Sequence, residues 1–150
     1  MGDRDLNHLY PRFREKVAAV LTDLKKYADK HMPGYTWIVV EGYRTAEYQR
    51  SLYAKGRTKP GSIVTNRDGV KKRSNHQSSL AVDIAPVSGG KVVWGVGVEH
   101  WAYLGHVARS HGLKWGGDWK KFVDKPHVEW PESDKATYAL ARKWQKEVGL

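Results

Sequence analysis

The sequence has 150 residues, of which 40% are apolar and 28% are charged, so it can bury one core of ordinary size. Lys and Arg outnumber Asp and Glu by 26 to 16, and the net charge of +10 favours a polyanionic partner such as nucleic acid, anionic lipid or bacterial cell wall. The absence of cysteine excludes disulfides, thiolate metal ligands and cysteine nucleophiles. No apolar run reaches the roughly 18 residues of a membrane-spanning helix, and the first residues lack the layout of a signal peptide.

The chain opens with an amphipathic pattern. Apolar residues at three- and four-residue steps predict a helix over residues 9–31, which Pro33 and Gly34 end. The β-branched and aromatic run 36–40 predicts a buried strand. We expect a short helix after it, with Thr45 as the N-cap.

A long irregular segment lies in the centre of the chain. Residues 57–75 show no apolar periodicity, and an unstructured loop of that length in a small domain is more often functional than accidental. We therefore expect it to form part of the rim of a site. In the run 80–85 that follows, the apolar residues at even positions share one face of a predicted strand, and Asp83 points to the other face.

Shorter elements complete the pattern. The run 91–94 predicts a strand that returns as the second half of a hairpin. Residues 98–108 predict a helix, and residues 126–130 predict a last strand with His127 and Glu129 on one face. Glu129 could thus orient its neighbour or be a solvated acid at the rim.

The chain ends in a predicted helix over residues 133–148, capped by Ser133. Basic residues surround its apolar side, so it could contact an anionic membrane or pack on its own domain. These basic residues are Lys135, Arg142, Lys143 and Lys146. The order of elements predicts one α+β domain over residues 1–150, with a small antiparallel sheet packed with helices.

Three residues from separate segments could form an open metal site. His76 ends the long loop, Asp83 lies in the strand after it, and His127 lies in the last predicted strand. Zinc with three protein ligands keeps its fourth position for a water, which becomes a nucleophile near neutral pH. Asp124, three residues before His127, could accept the proton of that water and return it to the leaving group.

This group of three residues could also arise by chance. Seven histidines and sixteen acids in 150 residues produce many such triples by chance. However, Asp83 lies in an otherwise apolar strand, and a carboxylate buried without a partner is costly. The context therefore favours the metal site over chance spacing.

The same residues resemble a known family. Ser74 to Asp83 resembles the Ser-x-His-x-x-Gly-x-Ala-x-Asp signature of zinc D-alanyl-D-alanine carboxypeptidases and their phage relatives, and Asp124 to His127 resembles their second motif. Further segments resemble phage endolysins that are L-alanyl-D-glutamate peptidases, namely 41–45, 52–61 and 114–119. Several motifs in the right order, between about residues 36 and 130, are more specific than one.

The resemblance implies a D-alanyl-D-alanine carboxypeptidase/hedgehog-like zinc peptidase fold with one catalytic Zn²⁺. It makes His76, Asp83 and His127 the zinc ligands and Asp124 the general acid/base. Arg44 corresponds to the family's arginine, which would hold a substrate carboxylate or stabilise an oxyanion.

Three further positions need comment. By the resemblance, Ser74 would line the site or support a ligand. Trp115 and Trp119 flank two glycines and an acid, so one of them, with Trp119 as the candidate, could form a side of the substrate cleft, and core packing is the alternative. Ser79 replaces the family's glycine, and if that glycine is needed for positive φ, the loop must adjust at a cost of about 1 kcal/mol.

The function implied is that of a phage endolysin, which cleaves the L-alanyl-D-glutamate amide of peptidoglycan stem peptides and lyses the host. A D-alanyl-D-alanine carboxypeptidase on the same peptides is the alternative. A basic nucleic-acid-binding module is a remote third possibility, and because no motif of that class accompanies the charge, we expect no nucleic-acid partner. We also expect a monomer that accumulates in the host cytoplasm without a signal peptide and reaches the cell wall through holin pores.

Overall fold

A five-stranded antiparallel sheet with helices packed against it forms the protein, which a computed structural model describes over residues 2–150. The helices are α1 (Pro11–His31), α2 (Ala46–Ala54), α3 (Val98–Ser110) and α4 (Lys135–Val148). The strands are β1 (Thr36–Glu41), β2 (Ala81–Ser88), β3 (Lys91–Val92), β4 (Lys114–Trp115) and β5 (His127–Glu129). Single 3-10 turns lie at Leu6–His8, Asn75–Ser78 and Gly116–Asp118. The predicted α+β class is therefore confirmed.

The sheet order places the motif strands side by side. The strands run in the order β1-β2-β5-β4, and β3 pairs with the end of β2. In the register of β2 and β5, Asp83 lies directly opposite His127. On the other side of β2, a shift of register between Val39 and Glu41 places Glu41 opposite Asp83. The sheet thus brings residues from three strands to one end of β2.

The core lies between α1, α3 and one face of the sheet. The predicted alternation in β2 is confirmed, because Leu80, Val82 and Ile84 are fully buried, whereas Asp83 faces the other side of the sheet toward His127. Each such side chain contributes about 1.5–3 kcal/mol when it is removed from water. The buried stripe of α1 consists of Phe13, Val17, Val20, Leu24 and Ala28. Among the described residues, no helix combines the length and the apolar character needed to cross a membrane.

Several element boundaries differ from the predictions. Helix α1 begins at Pro11 rather than residue 9, since proline suits the first helical position. Strand β3 ends at Val92, two residues earlier than predicted. Strand β4 has only two residues, too few to show a periodicity in the sequence. The predicted cap of α2 is confirmed, because the Thr45 hydroxyl accepts a hydrogen bond from the Tyr48 amide at 3.0 Å.

Helix α4 packs on the domain through a narrow stripe. Thr137, Ala141 and Gln145 are buried, and the ring of Trp144 meets that of Tyr10 edge-on with centroids 5.9 Å apart. The basic residues Lys135, Arg142, Lys143 and Lys146 are exposed. Packing on the domain is therefore observed, and the outer face of α4 remains open to a partner.

The predicted cap of α4 at Ser133 is wrong. Asp134 is the N-cap, and its carboxylate accepts hydrogen bonds from the Thr137 amide at 3.1 Å and from the Trp130 indole at 2.9 Å. A carboxylate can accept both bonds at once, which the Ser133 hydroxyl does not do here. The helix consequently starts at Lys135.

We expect Asp134→Ala to lower the thermal midpoint by roughly 3 °C, because a helix cap is lost in a chain of this size. Ser133→Ala is the matched control and should leave the midpoint unchanged. Thermal unfolding followed by circular dichroism measures both. Equal effects of the two substitutions would contradict the assignment of the cap.

Candidate active site

Three side chains from distant parts of the chain converge at the end of β2. His76 Nε2 lies 3.6 Å from Asp83 Oδ1, His127 Nδ1 lies 3.5 Å from the same oxygen, and the two nitrogens are 3.3 Å apart. Ligand atoms placed tetrahedrally at 2.0–2.1 Å from a zinc ion lie about 3.3 Å from one another. The separations therefore fit three ligands of a single metal ion.

The far nitrogen of each histidine is held by a hydrogen bond. His76 Nδ1 donates to the carbonyl oxygen of Gly42 at 2.7 Å, and His127 Nε2 donates to Glu129 Oε1 at 2.6 Å. A carbonyl oxygen only accepts, so the proton of neutral His76 lies on Nδ1 and Nε2 presents a lone pair. The hydrogen bond to Glu129 keeps a proton on His127 Nε2, so Nδ1 presents a lone pair once His127 loses its second proton; metal-ligating histidines are usually oriented by such contacts.

The surroundings of the Asp83 carboxylate show whether a cation fits between the three side chains. Its Oδ1 is buried and has no hydrogen-bond partner in the part of the chain that the structure describes. Burial alone would raise the pKa of Asp83, but the positive charge of His76 in its protonated form and the contact with His127 hold the pKa far below its ordinary value. A charged and unsatisfied oxygen next to two histidine nitrogens is suited to a metal ion, which would replace the protons of the histidines.

The turn that carries His76 is fixed by Ser74. The Ser74 hydroxyl accepts a hydrogen bond from the His76 amide at 3.2 Å, and the Gln77 side chain accepts one from the Ser74 amide at 2.8 Å. This reciprocal pair is a capping box. Ser74 thus supports a candidate ligand, and its contact with a substrate remains a prediction.

The turn ends at Ser79, where the sequence departs from the family's glycine. Ser79 has φ +60° and ψ +29°, a left-handed conformation that costs a side-chain-bearing residue about 1 kcal/mol. Ser79 thus adopts the conformation that favours glycine.

Arg44 is held rigidly beside the candidate ligands. Its Nε donates to Glu41 and its Nη1 donates to Gln49 Oε1 at 3.0 Å, while Nη2 lies 3.6 Å from Asp83 Oδ2. The Arg44 backbone amide also donates to the His76 carbonyl at 3.1 Å. The predicted arginine thus contributes a fixed positive charge next to Asp83.

Asp124 reaches the site from a loop before β5. Its Oδ2 lies 3.9 Å from His127 Nδ1, and its side chain is 44% exposed. Desolvation and the negative charge of Asp83 raise the pKa of Asp124 above its ordinary value. A carboxyl group with a raised pKa at the mouth of a site suits the transfer of a proton.

The loop of Asp124 depends on a glycine. A Cβ added to Gly116 would lie 2.3 Å from the carbonyl oxygen of Asp124, so a side chain there would displace the loop. The Asp124 amide donates to the Gly116 carbonyl at 3.0 Å. The close approach of these two backbone segments places Asp124 beside His127.

A cleft of about 1310 Å³ opens above these residues. The long loop predicted as a rim lines it with Ile63 and Val64, and Phe122 lies in the lining of the same cleft. Trp119 is 37% exposed, and its ring centroid lies 4.8 Å from that of His127. Trp119 is therefore at the cleft and not in the core.

Two supporting residues owe their roles to tertiary contacts that the sequence pattern leaves open. Glu129 is buried and hydrogen-bonded to His127, which decides between its two predicted roles. Gln49 is fully buried and accepts a hydrogen bond from Arg44, and nothing in its local sequence pattern indicates this role.

Asn75 joins two of the segments that form the site. Its side chain donates to Glu129 and to Glu132, each at 2.8 Å, and so links the His76 turn to β5.

Comparisons with known proteins match the segment that holds these residues. A family model described as D-alanyl-D-alanine carboxypeptidase matches residues 68–130. The peptidoglycan L-alanyl-D-glutamate endopeptidase CwlK of Bacillus subtilis (strain 168) is 38% identical over 104 residues, which are 64% of this chain and 61% of CwlK. The chain thus spans less than two thirds of the length of this relative.

Solved structures show the same fold. The L-Ala D-Glu endopeptidase ChiX of Serratia marcescens superposes with a TM-score of 0.58 at 23% identity, covering 90% of this chain and 92% of ChiX. The vancomycin resistance D,D-pentapeptidase VanY, solved in complex with Zn(II), has a TM-score of 0.55 at 21% identity over 87% of this chain and 78% of VanY. Together with the match over residues 68–130, which contain His76, Asp83, Asp124 and His127, these findings confirm that the chain resembles the D-alanyl-D-alanine carboxypeptidase family.

Proposed function

We propose that this chain is a zinc-dependent endopeptidase that cleaves the L-alanyl-D-glutamate bond of peptidoglycan stem peptides. The observation that carries the proposal is the convergence of two histidine nitrogens and an unsatisfied carboxylate oxygen beside an open cleft that both histidines line. The bond is proposed from CwlK, the 38% identical relative that is named for it. The net charge of +10 favours association with an anionic cell wall.

His76, Asp83 and His127 would hold one zinc ion. Two imidazole nitrogens and one carboxylate oxygen are a ligand set that leaves zinc an open position, as in other catalytic zinc sites. When bound, zinc polarises the scissile carbonyl and lowers the pKa of a water molecule to near neutrality. The solved Zn(II) complex of the structural neighbour VanY supports this choice of metal.

The protein's own groups would carry the proton and hold the substrate. Asp124 would accept the proton of the attacking water and return it to the departing amide nitrogen. Arg44, fixed by Glu41 and Gln49, would hold a substrate carboxylate or stabilise the oxyanion, and its rigidity suits either role. Trp119 would contact the substrate from the side of His127.

A D-alanyl-D-alanine carboxypeptidase is the second candidate, because the family model that matches residues 68–130 has that description. The two reactions use the same groups and differ in which bond lies over the metal. The relative with 38% identity favours the endopeptidase. The geometry of the metal ligands does not distinguish the two bonds.

Four expectations from the sequence stay predictions. They are the phage origin, the passage through holin pores, the monomeric state and the contact of α4 with an anionic membrane. The exposed Lys135, Arg142, Lys143 and Lys146 supply the charge that membrane contact needs.

Mass spectrometry of peptidoglycan digests tests the bond and the metal together. We expect stem peptides that begin at D-glutamate, lost with a chelator and regained with added zinc, because the proposed water needs the metal for activation. Free D-alanine as the product would assign the carboxypeptidase instead. A digest that is unaffected by chelation would contradict the zinc mechanism.

We expect Asp124→Asn to lower kcat by about 10²–10⁴-fold while zinc still binds, because the amide cannot accept the proton. Asp29→Asn is the matched control, since Asp29 is an exposed acid on α1 paired with Lys25. Peptide cleavage assays and zinc content measure the two properties. Cleavage by Asp124→Asn at the wild-type rate would exclude Asp124 as the general acid/base.

Zinc affinity should depend on pH through His127. Burial lowers the pKa of His127, but the contact with the Asp83 carboxylate and the hydrogen bond to Glu129 outweigh it and raise the pKa to about 9. Below that pH a proton occupies Nδ1 and competes with the metal, so affinity should rise about tenfold per pH unit up to pH 9 and then level off. Competition with a chromophoric chelator measures this dependence, and a plateau already reached at pH 7 would contradict the raised pKa.

A further inference from the structure

Gln145 of α4 lies against the turn that carries His76. Its side-chain amide donates one hydrogen bond to the carbonyl oxygen of Gln77 and one to the hydroxyl of Ser79, each at 2.8 Å. The exposed fractions of Gln145, Gln77 and Ser79 are 6%, 2% and 0%. Both bonds are therefore shielded from water. At such a buried place, the loss of the Gln145 donor leaves the two acceptors without a hydrogen bond.

The two acceptors lie immediately after the candidate ligand. Gln77 follows His76 directly, and Ser79 closes the turn with positive φ. A glycine at position 79, as in the family signature, would offer no side-chain oxygen to Gln145. The serine therefore has a conformational cost, but its hydroxyl also accepts a hydrogen bond from Gln145. In the part of the chain that the structure describes, this is the contact that the hydroxyl makes.

The other side of the turn is held by a different segment. The Gly42 carbonyl accepts from His76 Nδ1 at 2.7 Å, and the Arg44 amide donates to the His76 carbonyl at 3.1 Å. The loop between β1 and α2 thus fixes the ring and the beginning of the turn. Gln145 fixes its end, so that the direction of His76 Nε2 depends on contacts from both segments.

We infer that Gln145 is a positioning residue for His76, and that α4 stabilises the candidate metal site through the paired contacts of Gln145 with Gln77 and Ser79. Helix α4 (Lys135–Val148) lies outside the segment 68–130 that the family model matches. The inference rests on the proposed zinc site and assigns part of its affinity to a helix that supplies no ligand.

Zinc affinity of the folded protein tests the inference without any substrate. The variants are Gln145→Leu, which removes the donor but keeps similar bulk, and Gln145→Ala, which leaves room for a water to replace the amide. Tyr138→Phe is the matched control, because it removes a different α4 hydrogen bond, that of the Tyr138 hydroxyl to the Trp130 carbonyl at 2.6 Å. Chelator competition gives the zinc Kd, and thermal unfolding of the metal-free protein gives the stability.

We expect the zinc Kd to rise about tenfold in Gln145→Leu, at the lower end of the effects seen when a group that orients a metal ligand is lost. In Gln145→Ala we expect a smaller rise of about threefold, because a water can replace the amide. Tyr138→Phe should lower the thermal midpoint but leave the zinc Kd within about twofold of wild type. An unchanged zinc Kd in Gln145→Leu with a lowered midpoint would overturn the inference. If Gln145→Leu does not fold, an unchanged Kd in Gln145→Ala would overturn it.

A double-mutant cycle tests the pairing with Ser79. In a Ser79→Gly background Gln145 retains only the Gln77 carbonyl, so Gln145→Leu should raise the zinc Kd by less than it does in wild type. Equal effects in the two backgrounds would exclude the Ser79 contact. Zinc binding by a wild-type protein that cleaves no peptidoglycan would overturn the proposed function alone, whereas retention of wild-type zinc affinity in His76→Ala would overturn both.

Discussion

The candidate site depends on the pairing of β2 with β5. In this register Asp83 lies opposite His127, and side chains opposite each other on antiparallel strands have Cβ atoms about 4.5–5.5 Å apart. A slip of one residue would turn Asp83 toward the core and replace it with Val82 or Ile84. The buried face of β2, with Leu80, Val82 and Ile84 fully enclosed, therefore fixes the geometry of the site on the opposite face.

The remaining groups are added to this strand pair by loops. His76 comes from a capped 3-10 turn, Arg44 from the loop after β1, and Asp124 from the loop before β5. Backbone hydrogen bonds tie these segments to their neighbours, as between Arg44 and His76 and between Asp124 and Gly116. These bonds restrain side chains that lie mostly outside regular structure, and such restraint is what preorganised sites require.

The sequence predicts what depends on local pattern. The alternation in β2 indicates that Asp83 faces away from the core, and the motif spacing identifies His76, Asp83, Asp124 and His127 as candidate site residues. The sequence does not predict contacts that need the tertiary arrangement. The register shift that sets Glu41 opposite Asp83, the burial of Gln49 beneath Arg44 and the contact of Gln145 with Ser79 each join segments with no shared periodicity. The local pattern misplaces the cap of α4 by one residue because Ser133 and Asp134 are both good caps, and the contacts of Asp134 with Thr137 and Trp130 distinguish them.

The close approach of Gly116 to the Asp124 carbonyl has a consequence for how such a protein can diversify. Because backbone meets backbone there, no other residue fits without moving the acid, and the position is closed to variation. The apolar residues on the cleft, such as Ile63, Val64 and Phe122, are about half exposed and support nothing in the core. Under the proposed function, changes among them can alter which peptides enter the cleft while the candidate reacting groups stay in place, so new specificities can arise at the cleft edge without changes in those groups.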